Sequence, residues 1–391
     1  MNRILKYLFV IIGSCLCGVA LINGTIWLLI WLIGLYLLWA VFYSNHRWTI
    51  GLRKYLWVLR VLAVFIIIGY TISVRLLFFE VFRIPSESME QTLKVDDVIL
   101  VNKYQYGAIL PQSPFEIPWV NIACYMNKEA RAKMNEKWWP FRRLAGFNAV
   151  DRDDVVVFHF PYDDRKYFVK RCIGLPGDTL CIRNSTVFVN DNKHEEKGTI
   201  RQRYRITYSD IKQLKIFCEQ ESIPFDPKKG ENAIQLELLT KQAKCISTLN
   251  GIKSCNLEAD RRWIVDNYFF NNKKLKWDYA NYGDVIVPFK GQILDLTDSV
   301  TVVYHRKILE TFEGLKWNGT LKCYFLNETP IYKHKISNDY YFMMGDNRIE
   351  SIDSRSWGLV PEKKIIGKAT CILYSSSNQL SSNNRILRLI K

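Results

Sequence analysis

A long uncharged stretch near the start of this 391-residue chain is the feature that most limits how the sequence can fold. Residues 7–44 contain no Asp, Glu, Lys or Arg. As a single helix this stretch would extend about 57 Å, almost twice the ~30 Å hydrocarbon core of a bilayer. Because Asn23-Gly24 is a turn signal, we predict two membrane spans, at about 5–22 and 26–43. A third apolar run, at about 55–74, predicts a third span.

Basic residues beside these spans predict their orientation. Arg3 and Lys6 precede the first span, the turn between the first two spans is uncharged, and Arg53 and Lys54 lie just before the third. Cytoplasmic loops carry the excess of Lys and Arg. We therefore expect residues 1–80 to form a multi-pass anchor, with the N-terminus in the cytoplasm and the rest of the chain outside.

This interpretation has two alternatives. Residues 1–22 could be a cleaved signal sequence, and Gly13-Ser14-Cys15 loosely resembles a cleavage box, but the apolar sequence continues past this point. The formal net charge of +16 could indicate nucleic-acid binding. That charge is dispersed, with no block of five like charges, so it favours a membrane protein over a nucleic-acid-binding one.

Beyond the anchor the sequence predicts a mostly β fold. Short β-branched runs are typical of buried strands, and they occur at 98–101, 155–158, 168–173, 285–287, 300–304 and 371–374. Residues 208–220 and 232–246 have helical composition. Residues 175–178, Leu-Pro-Gly-Asp, predict a type II turn because proline and glycine hold its two central positions. Residues 108–150 and 191–338 carry no motif and are interpreted as insertions.

Three polar segments could carry chemistry, although each has an ordinary structural alternative. Ser86 and Ser88 straddle one residue and could simply form a turn. Lys170 alternates onto an apolar strand face, where burial would lower its pKa and let it accept a proton; an edge-strand lysine or an ion pair is the alternative. Asp353 and Arg355 could pair within a structured loop or belong to a surface turn.

Other catalytic and cofactor motifs are absent from the sequence. It has no G-x-S-x-G, H-E-x-x-H, Walker A or G-x-G-x-x-G motif. Ser209 and Lys212 match S-x-x-K without its S-D-N and K-T-G partner motifs, which indicates a chance match. The ten cysteines include no C-x-x-C pair, so a zinc or thioredoxin-like site lacks support. Cys245 and Cys255 could close a short loop, but the sequence does not establish their pairing.

Taken together, four blocks closely resemble the bacterial type I signal peptidases. They read P-S-E-S-M at 85–89, D-D-V-V-V-F at 153–158, K-R-C-I-G-L-P-G-D at 170–178 and G-D-N-R-I-E-S-I-D-S-R-S-W-G at 345–358. All four follow an N-terminal anchor in the order found in that family. The resemblance implies a membrane-anchored endopeptidase that removes signal peptides from exported preproteins.

The resemblance also implies a role for each matching residue. Ser88 matches the nucleophile and Lys170 the general base that activates it. The backbone N–H of Ser88 and the hydroxyl of Ser86 match the oxyanion donors. Ser351 matches the serine that orients the lysine, and the pair that braces its loop corresponds to Asp353 and Arg355. No cofactor and no metal are implied.

The implied architecture is a signal-peptidase-like antiparallel β fold with N-terminal transmembrane helices and a large inserted second domain. We expect an anchor, a first part of the catalytic core, an inserted variable domain, a return segment of the core and a polar, basic tail at 1–80, 81–190, 191–338, 339–375 and 376–391. The implied location is the bacterial cytoplasmic (inner) membrane, with the catalytic domain on the outer, periplasmic side. The implied partners are signal peptides, the lipid bilayer and the secretion machinery, with no nucleic acid.

The sequence departs from the family pattern at several positions. Gln91 stands where the family often has proline, and Ile349-Glu350 replaces a common Asp-Asn.

One rival function is that of a non-catalytic, membrane-anchored β module that binds exported chains, but such a module would lack the nucleophile or the base. A self-cleaving repressor-type Ser–Lys protease is the other rival, and the predicted spans argue against it.

Overall fold

The computed structural model describes residues 56–117, 136–227, 232–260, 277–375 and 385–390. The first two predicted spans, at 5–22 and 26–43, lie outside the described residues. Contacts within the chain divide it into two compact units. The first unit runs to Val81 and includes 100–149 and 366–368, and the second holds 82–99, 150–365 and the chain from Ala369 onward.

The third predicted span corresponds to a helix in the first unit. Helix α1, Leu56–Ser73, continues into a π-helical turn, Val74–Phe78. Among the residues that the structure describes, no helix is both long enough and apolar enough to qualify as a membrane span. Aromatic rings pack edge to face in the same unit, with Tyr104 between Phe79 and Phe147.

Strands dominate the rest of the described chain, and the prediction of a mostly β, antiparallel fold is confirmed. The strands are β1 Phe79–Arg83, β2 Asp97–Asn102, β3 Val155–Phe160, β4 Asp163–Gly174, β5 Thr179–Arg183, β6 Thr186–Val189, β7 Asn192–Lys193, β8 Arg201–Tyr208, β9 Ala233–Leu239, β10 Ile252–Leu257, β11 Tyr282–Ile286, β12 Ile293–Asp295, β13 Lys316–Asn318, β14 Cys323–Leu326, β15 Thr329–Ile331, β16 Lys333–Lys335, β17 Tyr340–Met344, β18 Val360–Pro361, β19 Ile365–Ser375 and β20 Arg388–Leu389.

Short helices connect several of these strands. They are α2 Lys212–Gln220, α3 Thr240–Ile246, α4 Ser299–Tyr304, α5 Arg306–Phe312 and α6 Ser354–Trp357, with 3₁₀ turns at Glu87–Met89, Pro114–Glu116 and Glu362–Lys364. The predicted type II turn is confirmed, since Asp178 N donates to Leu175 O and Gly177 has a φ of 94°. Only glycine adopts that φ without steric cost.

The sheet that carries the polar segments has the strand order β19-β3-β4-β17-β18 in the second unit. The Val-Val-Val-Phe run of β3 is fully buried, as expected for a central strand. Lys170 of β4 is paired with Val156 of β3, and on the other side of β4, Arg171 is paired with Met344 of β17. The middle of β4 is therefore enclosed by a strand on each side.

A separate small sheet lies within the predicted insertion at 191–338. Its strand order is β10-β8-β9, and α2 and α3 supply Leu214 and Ile246 to its core. Alternate residues of β8 and β9, such as Ile206 and Leu238, face this core. The domain boundaries proposed from the sequence stay a prediction.

Two of the predicted elements are wrong in type. Residues 300–304 form helix α4 and not a strand, because the Asp298 carboxylate accepts a hydrogen bond from Thr301 N and caps the helix. In the segment 232–246 only the second half is helical. Its first half is β9, where alternating burial against β8 outweighs the helical propensity of Leu, Gln and Glu.

The C-terminal tail is partly ordered against the core. β20 pairs with β19 at Cys371 and Ile372. Arg385 Nη2 lies 2.6 Å from Oδ2 of the fully buried Asp97. An ion pair this well shielded holds the described end of the tail in place.

Candidate active site

The turn that carries Ser88 is fixed on both sides by buried apolar residues. Pro85 restricts Ile84 to an extended conformation, and Ile84 N donates to Asp97 O. The chain then turns through a single 3₁₀ turn, Glu87–Met89. Met89 and Leu93 are buried and anchor the turn. The side chain of Ser88 is thereby placed below the surface, with a residue exposure of only 7%.

Ser86 lies beside Ser88 at the surface. Its backbone is extended, and its side chain is exposed. The two hydroxyl oxygens are 3.3 Å apart, within hydrogen-bond distance. The Ser86 hydroxyl is thus available to a group that approaches Ser88 from solvent.

Lys170 reaches Ser88 from β4. Its Nζ lies 2.5 Å from Oγ of Ser88, although the two residues are far apart in the sequence. Because β3 and β17 flank this part of β4, Lys170 is only 2% exposed. The structure therefore brings together the serine and the lysine that the sequence singled out.

Burial sets the protonation of Lys170. Desolvation disfavours the charged ammonium and lowers the pKa of Lys170 to about 8. The nearby carboxylates of Asp353 and Asp346 oppose this shift, and the Arg355 guanidinium reinforces it. A substantial fraction of the amine is neutral at mildly alkaline pH, and a neutral amine can take a proton from a hydroxyl.

Ser351 is buried in the loop that follows β17. Its Oγ makes no well-formed hydrogen bond to any described residue, Lys170 included. It does lie close enough to the Asp353 carboxylate to help lower the pKa of that group. A methyl group on Gly345 would overlap both Ser351 and the Ser88 carbonyl oxygen. Glycine at this position therefore permits the loop to approach the serine turn closely.

Asp353 and Arg355 form the ion pair that the sequence predicts. The Arg355 Nε and Nη2 atoms each lie 2.8 Å from one carboxylate oxygen of Asp353. The same carboxylate accepts a 3.0 Å hydrogen bond from Gly345 N. Burial alone would raise the pKa of Asp353, but the charge and hydrogen bonds of Arg355 lower it to about 2. The carboxylate thus stays charged and holds the loop near Gly345.

A second buried ion pair braces the same loop and was not assigned a role from the sequence. Arg171 donates to both oxygens of Asp346, at 2.8 and 2.6 Å, and neither side chain is exposed. Thr92, just beyond the serine turn, also donates to Asp346. Alternation along a strand places Arg171 on the face of β4 opposite Lys170, but nothing in the spacing of the sequence identifies its partner.

A backbone hydrogen bond joins the loop directly to the serine turn. Asn347 N donates to Ser88 O at 3.0 Å. The adjacent Arg348 is held by its own contacts, with Nε donating to Gly345 O and both Nη atoms donating to Glu196. The carbonyl of the candidate nucleophile is therefore fixed by a loop from a different part of the chain.

The arrangement favours acyl-transfer chemistry. A hydroxyl contacts a buried amine of lowered pKa, a second hydroxyl lies alongside, and two ion pairs hold the surrounding loop. Those are the parts needed for an activated nucleophile with nearby donors. Among the described residues, no group of three or more His, Cys, Asp and Glu side chains is placed to hold a metal ion.

Comparison with known proteins gives a consistent assignment. The family model described as signal peptidase, peptidase S26, matches residues 57–232 and 298–374. Signal peptidase I of Buchnera aphidicola from Baizongia pistaciae is 28% identical over 92% of this chain and 91% of its own length. Signal peptidase I of Helicobacter pylori strain 26695 is 24% identical over 79% of this chain and 81% of its own length.

A solved structure was also found, a signal peptidase I from Enterococcus faecalis, at 17% identity and a TM-score of 0.22. The match covers 57% of this chain and 98% of that one, and so low a score supports no conclusion about a shared fold. The assignment rests on the family match, which takes in more than half of the sequence and all the residues of the site. The chain belongs to the signal peptidase family, peptidase S26.

Proposed function

We propose that this chain is a membrane-bound serine endopeptidase that removes N-terminal signal peptides from exported preproteins. Ser88 is the nucleophile and Lys170 the general base. The observation that carries the proposal is the 2.5 Å contact between Ser88 Oγ and the Nζ of a buried lysine of lowered pKa. Membership of the peptidase S26 family supports the substrate class.

In the first half of the reaction the Ser88 oxygen attacks the carbonyl carbon of the scissile peptide bond. The neutral Lys170 amine takes the hydroxyl proton and passes it to the departing amine. The C–N bond breaks, and the signal peptide is left as an ester on Ser88. Lys170 then removes a proton from a water molecule, and the water oxygen attacks the ester carbonyl. As the ester bond breaks, Lys170 returns the proton to the Ser88 oxygen.

Two donors stabilise the negative oxygen that develops during each half. These are the backbone N–H of Ser88 and the hydroxyl of Ser86, which the extended backbone at Ser86 holds 3.3 Å from the nucleophile. Removing one donor of this kind typically costs about 100- to 1000-fold in rate. By its match to the family's lysine-orienting serine, we assign Ser351 the role of orienting Lys170 when substrate is bound. Asp353 and Arg355 hold the loop that carries Ser351.

The membrane anchor places this chemistry where signal peptides emerge from the bilayer. Support comes from the uncharged run at 7–44, from the apolar sequence at about 55–74, and from the basic residues that predict a cytoplasmic N-terminus. On this proposal the enzyme lies in the bacterial cytoplasmic membrane with its active site on the outer side.

The deciding experiment is cleavage of a purified preprotein by the full chain in detergent. Ser88→Ala and Lys170→Met are each expected to lower turnover by at least about 1000-fold, since removing one member of such a unit removes most of its effect. The matched controls are Ser209→Ala and Lys212→Met, which alter an exposed S-x-x-K pair and should retain wild-type turnover. Near-wild-type turnover in Ser88→Ala or Lys170→Met would refute the assignment.

A thermal unfolding measurement separates lost chemistry from lost structure. The pKa of Lys170 is lower in the folded chain than in the unfolded chain, so burial of the amine opposes folding at any pH below the ordinary lysine pKa, and the cost is complete below about pH 8. Lys170→Met removes this penalty and nearly preserves the side-chain volume. Its unfolding temperature at neutral pH is expected to equal or exceed that of the wild type, which would show that inactivity does not arise from misfolding.

A further inference from the structure

The segment at 194–201 runs from β7, a strand of the sheet β11-β5-β6-β7, to β8 of the small β10-β8-β9 sheet, and it carries no recognised motif. We call it the linking segment. Several of its side chains contact residues near Ser88, Lys170 or the loop after β17, whereas Gly198 O and Ile200 O accept hydrogen bonds from α3. His194 lies 3.2 Å from Asp153, Glu196 pairs with Arg348 at 2.8 Å, the Thr199 and Thr92 hydroxyl oxygens are 3.3 Å apart, and Arg201 pairs with Glu90 at 2.7 Å.

Arg201, the last residue of the linking segment, is bonded through its backbone to the loop after β17. Arg201 N donates to Asp346 O at 2.8 Å, and Arg348 N donates to Arg201 O at 3.0 Å. These two bonds form a parallel bridge between Arg201 and Asn347. Asn347 is the residue whose N–H holds the Ser88 carbonyl.

The side chain of Arg201 reaches the serine turn itself. Its Nη1 atom lies 2.7 Å from Oε2 of Glu90, two residues beyond Ser88. Asn347 Nδ2 donates to the same oxygen at 3.4 Å. Hydrogen bonds therefore join Arg201 to Glu90, Glu90 to Asn347, and Asn347 to the Ser88 carbonyl. The backbone from Ser88 to Glu90 closes the ring beside the candidate nucleophile.

We propose that Arg201, acting through Glu90 and Asn347, is a positioning residue that sets the orientation of Ser88 toward Lys170. This inference rests on the proposed function and gives part of the predicted insertion a role in catalysis. The ring fixes the peptide unit that follows Ser88 and the side chain of Glu90, and so it restrains the turn that carries the Ser88 hydroxyl. A displacement of about 1 Å in such a group can cost on the order of 100-fold in rate.

The partial exposure of the pair argues that its role is geometric. The side chains of Arg201 and Glu90 are 29% and 27% exposed. Ion pairs open to water contribute little to folding stability. The loss of Arg201 should therefore affect turnover much more than unfolding temperature.

The test measures kcat, KM, pH dependence and unfolding temperature for the full chain in detergent with a preprotein substrate. Arg201→Met is expected to lower kcat by about 10- to 100-fold while KM stays within about twofold. Its unfolding temperature should change little. The midpoint of the pH profile should stay in place, because Lys170 keeps its burial and its charged neighbours.

Arg203→Met is the matched control. Arg203 is on the same strand and pairs with Glu237 at 3.0 Å, with both side chains 48% exposed, so within the described part of the chain its side chain is bonded to the small sheet and not to the serine turn. It should keep wild-type kcat. Arg201→Lys, which retains the charge, should recover part of the loss. The double variant Glu90→Gln with Arg201→Met should have a kcat no lower than that of the slower single variant, as expected for residues that act as one unit.

The outcomes separate this inference from the proposed function. Wild-type kcat in Arg201→Met, or an equal loss in Arg203→Met, would refute the positioning role while leaving the Ser88 and Lys170 assignment intact. A fall in unfolding temperature that accounts for the lost activity would also refute it. Retained cleavage by Ser88→Ala would instead refute the proposed function.

Discussion

An exposed lysine keeps its proton at neutral pH, and Lys170 differs from one only in its surroundings. Two flanking strands and the serine turn exclude water from its amine, and the resulting desolvation outweighs the attraction of Asp346 and Asp353. A fully neutral site would hold the loop less firmly, because those carboxylates anchor Arg171 and Arg355. The same two carboxylates thus hold the loop in place and limit how far burial lowers the pKa of Lys170.

The lowered pKa of Lys170 predicts the pH dependence of cleavage. The amine is active only when neutral, and its neutral fraction grows as pH rises through the folded pKa of about 8. We expect kcat/KM to increase with pH, with a midpoint near that value and about a tenth of the maximum at pH 7. Initial rates of preprotein cleavage between about pH 6 and about pH 9.5 would measure it.

The control for that profile is the unfolding transition at each pH. Asp353 has a folded pKa of about 2, below its unfolded value, so its contribution to stability is present above about pH 4 and is lost only as pH falls toward 2. It therefore does not change across the assayed range. A midpoint close to the ordinary lysine value, or a flat profile, would contradict the role of Lys170.

At the scale of single elements, an N-terminal cap explains why residues 299–304 form a helix and not a strand. The composition of the Val-Thr-Val-Val run favours a strand. The Asp298 carboxylate, however, accepts a 2.7 Å hydrogen bond from Thr301 N, and a helix begins there. Val300 and Val302 then pack against the large core cluster of the second unit. Burial and a strong cap outweigh the small intrinsic propensity terms of β-branched residues.

Loss of this cap should be measurable. Asp298→Ala is expected to lower the free energy of unfolding by about 1 kcal/mol, because Thr301 N loses its partner. Asp298→Asn keeps a capping oxygen and should be nearly neutral. Urea unfolding of both variants would measure the difference, and equal stability of the two would show that the carboxylate does not act as a cap.

Five of the six predicted strands fall on strands of the structure, and the sequence singled out Ser88 and Lys170, whereas the other strands and the bracing contacts could not be predicted. Short β-branched runs located β3 and β4, and the block resemblance singled out Ser88 and Lys170. The partners of Arg171 and Arg201 depend on how distant segments pack, and no local pattern encodes that. The first half of 232–246 was misassigned because its composition is helical, although its alternation of Ile234, Leu236 and Leu238 is that of a strand.

For the whole molecule, the distribution of Lys and Arg predicts that the insertion faces the outside of the membrane. Cys245 offers a natural reporter, since its side chain is exposed on the small sheet. A membrane-impermeant maleimide added to intact spheroplasts is expected to label the wild-type chain. The Cys245→Ser variant should lose that part of the label.

The reverse preparation is the control for topology. In sealed inside-out vesicles Cys245 should stay unlabelled until detergent opens the membrane. Labelling of Cys245 in those vesicles, with none in spheroplasts, would place the insertion in the cytoplasm and contradict the predicted orientation.

The hydrogen bond from Asn347 to the Ser88 carbonyl bears on when the enzyme first becomes active during its synthesis. A ribosome that has completed the strands around Lys170 has already supplied the serine and the lysine, but not the loop that fixes the serine. On the proposed function, the turn that carries Ser88 is therefore fixed only after the segment following β17 has been made, so we expect catalytic competence to appear late in translation.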